Sequence, residues 1–185
     1  YAWCDTRYIS TMPATLTFDR AVTLPVGWTT AYYCSAQAQI RVMHNVLVHA
    51  ASGGVGLVSV LCNEGLRART YSTAGGMVKH VLLRSRNVSC TSSSRNAGAC
   101  AAHLSCLLRS ARFHSLISAL SNDFVSISFG LLAASGGYLE IGKNEIWSLG
   151  RSRAGQSSVD YIAVAVDDGC RNCSGWNRDL WWFNS

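Results

Sequence analysis

The chain has 185 residues, 49% of them hydrophobic and 14% charged, with a formal net charge of +6. That balance describes one core-forming globular unit, or one unit with part of another, and excludes a disordered chain. No apolar run approaches the roughly 18 residues that cross a bilayer, and no secretory leader pattern opens the chain, so the sequence reads as a cytoplasmic protein without a membrane partner.

The positive charge is scattered, with small groups at Arg67/Arg69, Arg84/Arg86 and Arg151/Arg153. Without a basic stripe interleaved with aromatics, the pattern argues against nucleic acid and suits a phosphorylated cofactor or an acidic carrier. The eight cysteines are irregularly spaced and mostly fall inside predicted strands and helices, so they read as buried, reduced thiols. Cys170 and Cys173 form a single C-x-x-C, half a zinc site at best, and no metal is expected.

In chain order, residues 1–17 are irregular. From Phe18 to Gln39, apolar residues recur at spacings of three and four with a break at Pro25, which predicts two short helices. A strand over Val46–Val48 then ends in the glycine-dense turn Ser52, Gly53, Gly54, Val55, Gly56. The turn opens directly into apolar residues at helical spacing (Leu57, Val60, Leu61). A strand that ends in glycines and opens into a helix presents unpaired N–H groups and the positive end of the helix dipole to an anion. A dinucleotide pyrophosphate is the usual one. The spacing of Ala51, Gly53 and Gly56 is A-x-G-x-x-G, with alanine in the place of the first glycine.

A second strand (Ala68–Thr73) and a helix (Met77–Ser85) follow. No Asp or Glu lies between Ala68 and Arg86, and Lys79 stands in the first turn of that helix. An acid at the end of this strand would select NAD, whereas a cation favours the 2′-phosphate of NADPH, so NADPH is the expected cofactor. The alternative for Lys79 is a solvated surface side chain. Further on come a strand (Asn87–Thr91), a helix (Ala97–Leu108), a strand (Phe113–Ala119), a helix (Asp123–Ala133) and, after a Ser-Gly-Gly turn, a strand (Gly137–Ile141). Arg151–Ser158 reads as a basic, polar link and Val159–Val166 as one more strand. Strands alternating with helices imply right-handed crossovers and an α/β fold, a Rossmann-type doubly wound parallel sheet. His44, His49, His80, His103 and His114 lack metal-ligand spacing; His49 is placed to cap the glycine turn.

Four stretches together, PATLTFDRAVTLPVGWTTAYY (13–33), VLVHAASGGVGLVSV (46–60), TAGGMVK (73–79) and GLLAASGGYLEIGKNEI (130–146), resemble the enoyl reductase domain of polyketide synthases and animal-type fatty acid synthases. That group sits in the zinc-independent medium-chain dehydrogenase/reductase superfamily, beside the quinone oxidoreductases. The resemblance covers residues from about 8 to 168. It implies a pyrophosphate held by Ser52, Gly53, Gly54, Val55 and Gly56, and an adenosine 2′-phosphate faced by Thr73, Lys79 and Arg95. Ser118, Ile141 and Gly142 would lie toward the nicotinamide.

Lys143 and Asp167 match the proposed catalytic pair of that family. The implied reaction sends hydride from NADPH to the β-carbon of an α,β-unsaturated acyl thioester on an acyl carrier protein. The lysine ammonium would donate a proton or stabilise the enolate, and the aspartate would hold the lysine. The alternative for this pair is a surface ion pair. By the same resemblance, residues 1–17 are the remnant of a GroES-like substrate domain, 18–150 the NADPH-binding domain, and 151–185 a return strand and tail. Other synthase modules would be partners, and a homodimer is allowed. The chain departs from the family pattern at Ser118, where Asn is usual, and at Arg112, Phe113 and His114, which replace Gly-Val-Asp. Competing readings are a stand-alone quinone or enone oxidoreductase and a non-catalytic nucleotide-binding remnant.

Overall fold

The computed structural model of the chain describes residue 3 and residues 11–143, 146–156 and 158–165. Asp167, Cys170, Cys173 and the tryptophan-rich tail lie outside the described residues. A four-residue helix α1 (Phe18–Ala21) leads into α2 (Pro25–Gln37). Pro25 is the first residue of α2, where a missing N–H costs nothing, so the break expected at the proline is the start of the second helix.

The chain then alternates: β1 (Asn45–Val48), α3 (Gly54–Gly65), β2 (Arg69–Ala74), α4 (Met77–Arg84), β3 (Cys90–Ser93), α5 (Ala97–Leu108), β4 (Phe113–Ser118), α6 (Asp123–Leu131), β5 (Leu132–Glu140), α7 (Leu149–Gly155) and β6 (Asp160–Ala163). The strands form one six-stranded parallel sheet in the order β3-β2-β1-β4-β5-β6. This is the doubly wound Rossmann-type architecture expected from the alternation.

Both faces of the sheet are covered, and the strands show it residue by residue. On β1, Leu47 packs into a cluster with Leu104 of α5, Val125 and Phe129 of α6, and Trp147, while Val46 and Val48 pack against Val60 of α3 and Leu83 of α4. On β5, Tyr138 joins the first cluster, whereas Leu139 meets Cys34 of α2 and Val164. Phe129, Tyr138 and Trp147 stack, with ring centroids 4.8 and 5.2 Å from Phe129. Burial pushes the thiol of Cys34 up to about 12 and that of Cys62 to about 11, so neither is a nucleophile near neutral pH.

Most element ends shift from the sequence reading by one to three residues, and three differences have a structural cause. The third strand begins later, at Cys90, because Asn87 takes a left-handed φ of 53° in the turn that ends α4. The fifth strand begins at Leu132, directly after α6, and the expected Ser-Gly-Gly turn lies inside it. Pairing with β4 jumps from Phe113↔Leu132 to Ser115↔Gly137, so Ala133–Gly136 loop out, with Ser135 at a φ of 62°. The segment read as a polar link contains α7, started by Ser148, whose Oγ accepts the Arg151 N–H at 3.3 Å. It lacks an apolar period, which is why the pattern hid it. β6 joins the same sheet as its edge strand.

Candidate functional site

Because all six strands are parallel, their carboxyl ends share one edge, and the order reverses between β1 and β4. Crevices open at such a switch point. Ser52–Gly56 follow β1, Thr73 is the penultimate residue of β2, Lys79 lies in the first turn of α4, and Arg95 follows β3. Ser118 ends β4, and Ile141, Gly142 and Lys143 follow β5. The fold therefore lines up along this edge residues drawn from five separate stretches of sequence.

The turn after β1 is built by backbone. Ala50 takes a φ of 49°, its N–H donates to Thr73 Oγ1 at 3.1 Å, and the Ala51 N–H donates to the Thr73 carbonyl at 3.0 Å. Gly53 closes the turn by donating to the Ala50 carbonyl at 2.9 Å. A Cβ on Gly56 would come within 2.6 Å of Ala51 Cα, so glycine there lets α3 press against the end of β1. A Cβ on Gly54 would meet nothing within 4 Å, and no side chain caps α3. The start of α3 is thus uncapped by any side chain and lies behind exposed Gly53 and Gly54, the kind of helix N-terminus that can receive an anion.

Beneath the turn sits His49, a residue for which sequence offered no partner. Its Nδ1 lies 3.1 Å from Thr73 Oγ1 and its Nε2 lies 2.8 Å from Ser128 Oγ, with Phe124 edge-on at 5.5 Å. The buried imidazole joins β1, β2 and α6, and burial pulls its pKa from 6.5 down to about 3. The Thr73 hydroxyl is occupied by these internal contacts and is buried, so the structure turns it toward His49 and Ala50.

On the β2–β3 side, Arg95 leans over Gly75. Its Nε lies 3.3 Å, and Ser94 Oγ also 3.3 Å, from where a Cβ on Gly75 would stand. Lys79 and Arg95 are both exposed, and no acid lies between Ala68 and Arg86 to oppose them. On the other side of the switch point, buried Ser118 bonds the Leu120 carbonyl and N–H at 3.2 and 3.3 Å. The Ile141 N–H donates to the Ser118 carbonyl at 2.8 Å, and Gly142 donates to Glu140 Oε1 at 2.7 Å. Lys143 is exposed at the end of this segment. Sequence reading passed over Glu140, although an acid inside the apolar run Tyr138–Ile141 is a signal in itself. Among the described residues, no group of three or more His, Cys, Asp or Glu is placed to hold a metal, and no helix is long and apolar enough to cross a membrane.

No protein-family profile matches the chain. A highly reducing polyketide synthase of Aspergillus terreus is 34% identical over 140 residues, covering 73% of this chain and 5% of the synthase. The solved CurK enoyl reductase superposes with a TM-score of 0.88 at 25% identity, over 96% of this chain and 53% of that one. The quinone oxidoreductase of Thermus thermophilus, solved also in complex with NADPH, superposes with a TM-score of 0.73 at 22% identity, over 93% of this chain and 55% of that one. The chain thus spans a small fraction of the curated synthase and about half of each solved reductase. It is a homologue of the reducing polyketide synthases, and its fold is the one shared by polyketide synthase enoyl reductases and quinone oxidoreductases of the medium-chain dehydrogenase/reductase type.

Proposed function

We propose that the chain is the cofactor-binding part of an NADPH-dependent enoyl reductase within a polyketide or fatty acid synthase. Its substrate is an α,β-unsaturated acyl thioester on an acyl carrier protein, and its neighbours are the other modules of that synthase. The observation that carries the reading is the asymmetry of the carboxyl edge. An uncapped helix start stands behind Gly53 and Gly54, and Arg95 is packed on Gly75 with Lys79 nearby and no acid on that side.

In this reading the N–H groups at the start of α3 bind the pyrophosphate, and Arg95 and Lys79 bind the 2′-phosphate. The cofactor, when bound, supplies the hydride. The segment Ile141–Gly142 orients the nicotinamide end, and Lys143 holds its ammonium where negative charge develops on the thioester enolate, there to stabilise it or to pass on a proton.

Fluorescence titration with NADPH and NADH, followed by an assay on a crotonyl thioester, tests the proposal. NADPH binds more tightly than NADH and the thioester is reduced. If neither nucleotide binds, the enzyme readings fail. If NADPH binds and quinones are reduced in place of the thioester, the chain acts as an oxidoreductase of the second kind; binding without any reduction marks a nucleotide-binding remnant.

A further inference from the structure

We infer that Glu140 is a positioning residue for the nicotinamide end of the site: its buried carboxylate holds the Ile141–Gly142 turn and so fixes where Lys143 leaves the sheet. The inference rests on the cofactor reading above. Glu140 ends β5 and is only 3% exposed. A buried carboxylate is costly unless its oxygens are bonded, and where stability alone matters an apolar residue serves as well or better.

Here each oxygen has an assignment. Oε1 accepts the Gly142 N–H at 2.7 Å, closing a ring from a side chain to the backbone two residues on. Oε2 lies 3.5 Å from the Tyr138 hydroxyl, which donates to it. The same segment is held from both sides: the Ile141 N–H donates to Ser118 on β4, and the Val164 N–H donates to the Glu140 carbonyl, each at 2.8 Å.

Gly142 completes the arrangement. A Cβ there would stand 2.7 Å from Glu140 Oε1 and 3.6 Å from the Ala119 carbonyl carbon, so the carboxylate can keep this position only while residue 142 is glycine. The strand end is thereby clamped by β4, by β6 and by its own side chain just before exposed Lys143. All of this lies on the β4–β5 side of the switch point, away from Arg95 after β3.

The test uses the full chain, with NADPH and adenosine 2′,5′-bisphosphate as probes; the second carries the adenosine phosphate half without the nicotinamide. Glu140→Ala weakens NADPH about tenfold, as expected for a lost bond to a charged group. It leaves the bisphosphate within about twofold, and amide exchange at Gly142 accelerates about tenfold or more. Glu140→Gln, which keeps an acceptor oxygen, restores both readouts, and Gly142→Ala, which displaces the carboxylate without removing it, reproduces the loss.

Unchanged NADPH affinity together with unchanged Gly142 exchange in Glu140→Ala overturns the inference. So does equal weakening of both ligands, which signifies general destabilisation. If the unaltered chain binds neither nucleotide, the cofactor reading falls instead, and exchange at Gly142 still decides whether Glu140 holds the turn.

Discussion

In the proposed reading, cofactor choice is decided at two side chains. Arg95 comes from the loop after β3 and Lys79 from α4, and they bracket the Gly75 turn without an opposing acid. Replacing either with alanine is expected to weaken NADPH about tenfold, the loss of one charge-assisted phosphate contact, while NADH changes less than about twofold. Equal losses for the two nucleotides in a fluorescence titration would refute the assignment. His49 makes a different prediction. Burial holds its folded pKa near 3, against an ordinary value of 6.5, so the unfolded chain takes up a proton first as the pH falls. Its contribution to stability is therefore complete well above pH 6.5 and is lost progressively as the pH falls through and below it, about 1 kcal/mol between pH 6.5 and 5.5. His44, whose pKa is lowered by burial and then by His114 and Arg41, acts in the same direction. Urea midpoints at pH 7.5 and 5.5 should show the drop, and His49→Gln should flatten it.

At the scale of elements, the site depends on how closely α3 approaches β1. Gly56→Ala must push the helix away from the Ala51 backbone, because the added Cβ would stand 2.6 Å from Ala51 Cα. Overpacking of this kind costs roughly 1–3 kcal/mol, and the thermal midpoint should fall by several degrees. Gly54→Ala, two residues earlier, has free space around its Cβ and lies at the first helical position, so stability should hold or rise slightly. Its methyl group nonetheless enters the proposed pyrophosphate site, and NADPH affinity should drop. A stable Gly54→Ala chain with unchanged NADPH binding would remove the pyrophosphate from this turn. The loop-out in β5 shows a second property of elements: the ladder with β4 continues on either side of Ala133–Gly136, so one strand passes through a stretch that reads locally as a turn.

For the whole molecule, the sheet order β3-β2-β1-β4-β5-β6 puts the uncapped start of α3 and the clamped β5 end on opposite sides of the switch point between β1 and β4. The chain spans about half of each solved reductase it superposes on, so the rate of reduction is expected to depend on more than this sheet edge, while NADPH binding is not. A chain extended toward its amino terminus should bind NADPH within about threefold of this one, while reducing a crotonyl thioester at least about tenfold faster, because a second wall positions the acyl group. Comparable rates with and without the extension would show that this sheet edge suffices.

The sequence by itself determined the alternation of strands and helices, the glycine turn after β1, and the absence of acid beyond β2. Each rests on short-range chemistry: glycine conformations, the periods of apolar residues, and charges that need no partner to be counted. Even the Ala-rich helix Ala97–Leu108 was legible, because its apolar positions keep a helical period. Only the tertiary structure decided which side chains the edge uses internally. Thr73 turns to His49 and Ala50, Ser128 reaches back from α6, and Glu140 folds onto Gly142, all through hydrogen bonds whose partners become neighbours only when parallel strands align. The direction of a side chain at a strand end is set by register and by the neighbouring strand, and neither is present in any local stretch of sequence.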